Sequence, residues 1–168
     1  ELVFEEFQVV YRLPEASLGW FTGSKNLDRK RPIYHIWYIG KNKEVFERKY
    51  LYHLEEEPDI EAMQKAASYL IGEKDFKSFC GNPKMKKSTV RRLFNIEIRK
   101  TGSTLRFYFH GSGFLQYQIR IMVGTLLEVG FHKKRVEEVE EILLAKDRTK
   151  AGFTAPAKGL CLMKVEYD

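Results

Sequence analysis

The chain has 168 residues, 43% of them hydrophobic and 14% aromatic, with a formal net charge of +6. That size and apolar content suit one domain, or two small halves sharing a core, and argue against a disordered or low-complexity chain. No apolar run reaches the ~18 to 20 residues of a membrane span, which argues against a spanning helix.

ELVFEEFQVVY opens the chain as an acidic, strand-like stretch, unlike a signal or transit peptide. The chain does not begin with Met, so a fragment of a longer protein is expected. A loop through LGWFTGSKNLDRKRP leads to IYHIWYIG (33–40), apolar or aromatic on both parities and therefore a strand buried on two faces. GKNK then reads as a hairpin turn into a second strand, VFERKYLYHL (45–54). PDIEAMQKAASYLIGE (58–73) is a helix started by Pro58 and Asp59 and ended at Gly72, with Ile60, Met63, Ala67 and Leu70 on one face.

Residues 79–91 form the longest connection with little structure, and it is basic; loops of that kind often carry function. RLFNIEIRK (92–100) and TLRFYFHG (104–111) alternate across Thr101-Gly102-Ser103 as a hairpin. Phe94, Ile96 and Ile98 face inward with Leu105, Phe107 and Phe109, while Arg106, Tyr108 and His110 face outward. A long apolar helix over 113–129 and an amphipathic one over 135–146 follow, and GLCLMKVEYD closes the chain as a strand. The order predicts an α+β fold, a mainly antiparallel sheet backed by helices.

The basic clusters SKNLDRKR (24–31), NPKMKKSTVRR (82–92) and FHKKR (131–135) suit a polyanionic partner, since phosphate neutralisation drives nucleic-acid affinity. Cys80 and Cys161 form no CxxC, and His35, His53, His110 and His132 are scattered, so no metal site and a reducing, cytoplasmic setting are expected. Arg120 is the one charge between Phe114 and Gly124, a stretch otherwise dominated by apolar residues. By helical spacing it shares a face with Gln116, Tyr117, Val123, Gly124 and Leu127, and Gly124 leaves open space beside it. The nearest acid in that helix, Glu128, is two turns away. Arg120 either snorkels to water from a helix edge or waits for an anion. Tyr34 is either a core tyrosine or an aromatic plate for a base, a contact worth ~1–3 kcal/mol. None of Asp28, Asp59, Asp75, Asp147 and Asp168 reads as a buried nucleophile or general base.

Three stretches resemble the tRNA pseudouridine synthase A family. They are EAMQKAASYLIGEKDFKSF (61–79), GFLQYQIRIMVGTLLEVG (113–130) and LLAKDRTKAGFTAPAKGLCLMKVEY (143–167), in the family's order. The resemblance implies a pseudouridine synthase fold and an isomerase of uridine in the anticodon stem-loop of tRNA, with no metal or organic cofactor. It maps the base-stacking tyrosine onto Tyr34, the arginine that pairs with the catalytic aspartate onto Arg120, and the leucine lying against the base onto Leu160. The family's aspartate sits in a GRTD motif, which these 168 residues lack. The expectation is therefore a single domain, the C-terminal portion of the catalytic core, whose partners are tRNA, a second copy and the missing N-terminal half. An arginine buried without its carboxylate costs ~3–5 kcal/mol, so Arg120 is expected hydrated, displaced or bound to an anion from solution. Lys86, Lys87, Arg91, Lys133 and Lys134 are expected to hold the RNA backbone. The chain departs from the family at Tyr117-Gln118 (His-Met in the family), Ile121 (Asn) and Phe153 (Pro). Two other readings stand beside this one: a non-catalytic module binding structured RNA, and an assembly domain docking through helix 113–129.

Overall fold

The computed structural model describes residues 34–39, 52–82, 84–102 and 104–162, with the backbone alone for 34–39, 53, 161 and 162. The opening strand, the loop before Tyr34, the GKNK turn and the end of the closing strand lie outside the described residues. Among the described residues the strands are β1 (Tyr34–Ile39), β2 (Tyr52–His53), β3 (Gly72–Asp75), β4 (Val90–Thr101), β5 (Thr104–Gly111) and β6 (Cys161–Leu162). The α-helices are α1 (Ile60–Ser68), α2 (Gln118–Gly130) and α3 (Glu138–Ala145). The strands form one sheet in the order β2-β1-β5-β4-β3, with β6 also paired to β1. The fold is α+β and the sheet mainly antiparallel, as its pattern predicted.

The β4–β5 hairpin forms because inward residues alternate on both strands. Leu105, Phe107 and Phe109 are buried beneath the helices with Leu93, Ile96 and Ile98. A register shift between Leu93 and Asn95 moves Phe94 to the opposite face, where its ring meets His110 at 4.8 Å. The expected inward position of Phe94 is thus corrected by a bulge, which inserts one residue and flips the parity beyond it.

Two further expectations change. β1 and β2 run parallel, Tyr38 opposite Tyr52 and Ile39 opposite His53. That direction differs from the antiparallel one expected of a hairpin pair. The long apolar helix starts at Gln118 rather than Gly113. Gly113 at φ +146° and Tyr117 at φ +59° hold the preceding stretch out of the helical region.

Asp59 caps α1, its Oδ1 accepting from Ala62 N at 2.9 Å. α1 stops at Ser68, and Gly72 to Asp75 become an edge strand against β4 instead of a helix end. Beyond that short strand Gln64 completes the edge of β4, donating to Ile96 O at 3.0 Å and accepting from Ile98 N at 2.9 Å. Met63, Ala66 and Ala67 of α1 lie against α2 in one core. Eleven of the thirteen residues of α2 are buried inside this chain, so its apolar surface is already covered and leaves no face for subunit docking.

Candidate active site

Arg120 stands in the first turn of α2, half-buried. Its Nε donates to Ala155 O at 2.6 Å, and Ala155 N donates to Arg120 O at 3.0 Å. The guanidinium carbon lies 4.9 Å from the centre of the Tyr117 ring. Among the described residues no carboxylate pairs with Arg120. Snorkelling along a helix edge does not describe this group, since a backbone carbonyl and an aromatic face hold it.

The residue range 151–155 that receives Arg120 is tied down along its length. Arg148 Nη1 donates to Gly152 O at 3.0 Å, and its Nη2 bonds Thr154 Oγ1 at 3.0 Å. Gly152 N donates to Thr125 Oγ1 at 2.9 Å, and Phe153 N to Glu128 Oε1 at 3.1 Å. A Cβ on Gly124 would fall 1.8 Å from Phe153 O. The expected open space beside Gly124 is therefore filled by this segment, and the glycine is there to let backbone meet helix. Glu128 is the segment's anchor and the ion-pair partner of Lys134 at 3.5 Å, not a partner of Arg120.

Tyr34 is the first residue of β1 and pairs with Leu162 of β6, and α2 also touches β1. Leu160 lies two residues before Leu162, half-buried against the core. The strand carrying Tyr34, the segment carrying Leu160 and the helix carrying Arg120 thus adjoin one another.

The basic residues divide. Lys86 and Lys87 are exposed in the loop before β4, whereas Arg91 Nη1 is spent on Ser88 O at 2.9 Å and Val90 O at 2.6 Å, with burial pulling its pKa below the usual arginine value. Lys133 and Lys134 line a surface hollow of about 340 Å³ with His132, Arg135, Val136 and Glu138. Lys133 is exposed over the Phe131 ring, while Lys134 is held by Glu128. Asp59, Asp75 and Asp147 are occupied as caps or in structural bonds, Asp147 accepting from Thr149 N at 2.9 Å. No cluster of three or more His, Cys, Asp or Glu placed to hold a metal occurs among the described residues, and no described helix is long and apolar enough to cross a membrane.

Thr125, Arg148 and the left-handed Tyr117 escaped sequence reasoning. Thr125 joins α2 to Gly152, 27 positions on, Arg148 bonds within its own loop and Tyr117 turns on one backbone angle, none of which helical periodicity can show. The Gly and Pro content of KAGFTAP was the available sign of a shaped segment.

A family model described as tRNA pseudouridine synthase matches residues 66–168. The tRNA pseudouridine synthase A of Bacillus licheniformis is 41% identical over 157 residues, covering 94% of this chain and 63% of that protein. Its namesake in Brevibacillus brevis is 45% identical over 124 residues, 74% of this chain and 51% of the relative. That of Geotalea uraniireducens is 47% identical over 116 residues, 69% and 48% respectively. The chain spans between about half and just under two thirds of these relatives. With the α2 helix, the Ala155 clamp and the β6 segment all inside the matched range, the chain belongs to the tRNA pseudouridine synthase family.

Proposed function

We propose that this chain is the C-terminal portion of the catalytic core of a tRNA pseudouridine synthase acting on uridine in the anticodon stem-loop. The bond between C1′ of the ribose and N1 of uracil breaks, the base turns, C1′ joins C5, and the C5 proton leaves while N1 gains one. A carboxylate from a segment outside these 168 residues serves the cleavage, and Arg120 orients it and stabilises its charge. Tyr34 stacks on the flipped base and assists removal of the C5 proton, and Leu160 packs on the base. Lys86, Lys87 and Lys133 hold phosphates, while Arg91 and Lys134 keep their internal bonds and contribute little.

The observation carrying this reading is a guanidinium fixed through Nε and its ring contact, with no carboxylate partner among the described residues, beside the strand of Tyr34. The proposal extends to a homodimer in the cytoplasm, supported by the family resemblance and, for the compartment, by the free thiol of Cys80. Tritium release from stem-loop RNA labelled at uridine C5 tests it. The chain alone should release none, adding the GRTD-bearing segment of a relative should restore release, and Arg120→Ala should abolish it. No release in the presence of that segment would favour RNA binding without catalysis, a reading supported by the structural duties of Asp59, Asp75 and Asp147.

A further inference from the structure

Tyr117 adopts φ +59° and ψ +6° immediately before α2, a left-handed conformation that disfavours side chains other than Asn, Asp and Gly. Nothing in the helix requires a tyrosine there, since its side chain makes no capping bond. The ring is nevertheless held on two sides. A Cβ on Gly81 would lie 2.4 Å from Tyr117 Cδ2 and 3.0 Å from Cγ, so the ring packs onto bare glycine backbone. Gly81 is itself fixed, its N donating to Gln116 O at 2.8 Å. The other contact is the Arg120 guanidinium, 4.9 Å from the ring centre and inside the range of a cation–π contact. Even so the residue is 48% exposed, so burial of the ring does not explain the strained backbone.

We propose that Tyr117 is a positioning residue for Arg120. The left-handed turn sets its ring against the guanidinium, and ring and Ala155 carbonyl together fix the group before any anion arrives. Arg120 has five N–H donors; the Nε donor is used on Ala155, and the four on Nη1 and Nη2 meet no acceptor among the described residues. A flexible arginine would lose rotamer freedom on capturing a carboxylate, and one already held at two points loses less. This role deepens the function proposed above and rests on it for the identity of the anion. The positioning itself is a property of this chain alone.

The test uses nitrogen-resolved NMR of the arginine Nε–H groups in the 168-residue chain. Tyr117→Phe keeps the ring, while Tyr117→Asn and Tyr117→Gly remove it and tolerate the left-handed backbone. The Arg120 Nε–H shift and exchange rate should be unchanged in the Phe variant. In the Asn and Gly variants the shift should move and exchange should quicken about tenfold. An Arg120 signal unmoved in whichever ring-less variant folds would overturn the proposal. With a GRTD-bearing segment supplied, Tyr117→Asn should lower kcat for tritium release about tenfold with KM for RNA within about twofold. A rise in KM with kcat unchanged would make Tyr117 an RNA contact and overturn the role. Absence of release from the unsubstituted chain with that segment supplied would count against the proposed function, leaving the NMR result to decide on positioning.

Discussion

Asp75 ties together three places that are distant in sequence. Its carboxylate accepts from the Thr89 hydroxyl and from Lys77 N at 3.1 Å, and pairs with Lys146 at 2.9 Å just past α3. Burial alone would raise its pKa, but the bonds from Thr89, Lys146 and Lys77 outweigh that and hold the carboxyl below its usual value. A depressed folded pKa contributes stability that is present above the unfolded value, near ~3.9, and is lost as pH falls through the folded one. Asp75→Asn should therefore cost about 1 kcal/mol at pH 7, a figure kept low because water partly screens the group. The difference should shrink towards pH 3 and below, which urea unfolding at several pH values would read. A penalty as large in acid as at neutrality would remove the carboxylate from the explanation. Sequence reading set Asp75 aside as a nucleophile and found no role for it, because partners 14 and 71 positions away leave no local trace. Arg120 was legible as a charge in an apolar stretch, but its acceptor 35 positions on was not.

At the scale of elements, the contact between α2 and residues 151–155 depends on Gly124. A methyl there would meet Phe153 O at 1.8 Å and Phe153 C at 2.8 Å, both backbone atoms held by the bonds of Glu128, Thr125 and Arg148 to their neighbours. Gly124→Ala should cost about 3 kcal/mol as overpacking, lower the melting temperature, and strip protection from the Ala155 amide that donates to Arg120 O. Hydrogen exchange at Ala155 and thermal unfolding check it; a protected Ala155 amide would mean the segment is held without that close approach. Elements whose pattern is local were readable beforehand: the β4–β5 hairpin, α1 behind its Asp59 cap, and α3 on Val139, Ile142 and Leu143. Those decided by single backbone angles or by pairing were not. Alternation cannot announce the bulge that turns Phe94 over, and apolar content cannot tell Tyr117 from a helical residue. Nor does strand character say whether β2 runs with β1 or against it, which tertiary contacts decide.

Across the whole molecule the 29 Lys and Arg residues overstate what is free to meet a polyanion. Lys100 pairs with Glu57, Arg99 with Glu97, Lys134 with Glu128, Lys146 with Asp75, and Arg135 with both Glu138 and Glu141. Lys86, Lys87 and Lys133 are exposed and have no ion pair with the described residues. Each phosphate neutralised releases condensed counterions, so the fall of log K with log salt is steeper by about 0.7 to 0.9 for every such contact. If the proposed RNA reading holds, Lys86→Gln, Lys87→Gln and Lys133→Gln should each flatten that slope by about this amount for a stem-loop RNA. Lys134→Gln should change it little, because its ammonium is already balanced by Glu128 and lending it to a phosphate would strand that carboxylate beside the Phe153 amide. Fluorescence titrations across a salt series separate the two groups of lysines. Equal flattening by Lys133→Gln and Lys134→Gln would mean that the Glu128 pair opens on the RNA and frees Phe153 N. The 151–155 segment would then loosen as substrate binds, and with it the carbonyl that holds Arg120.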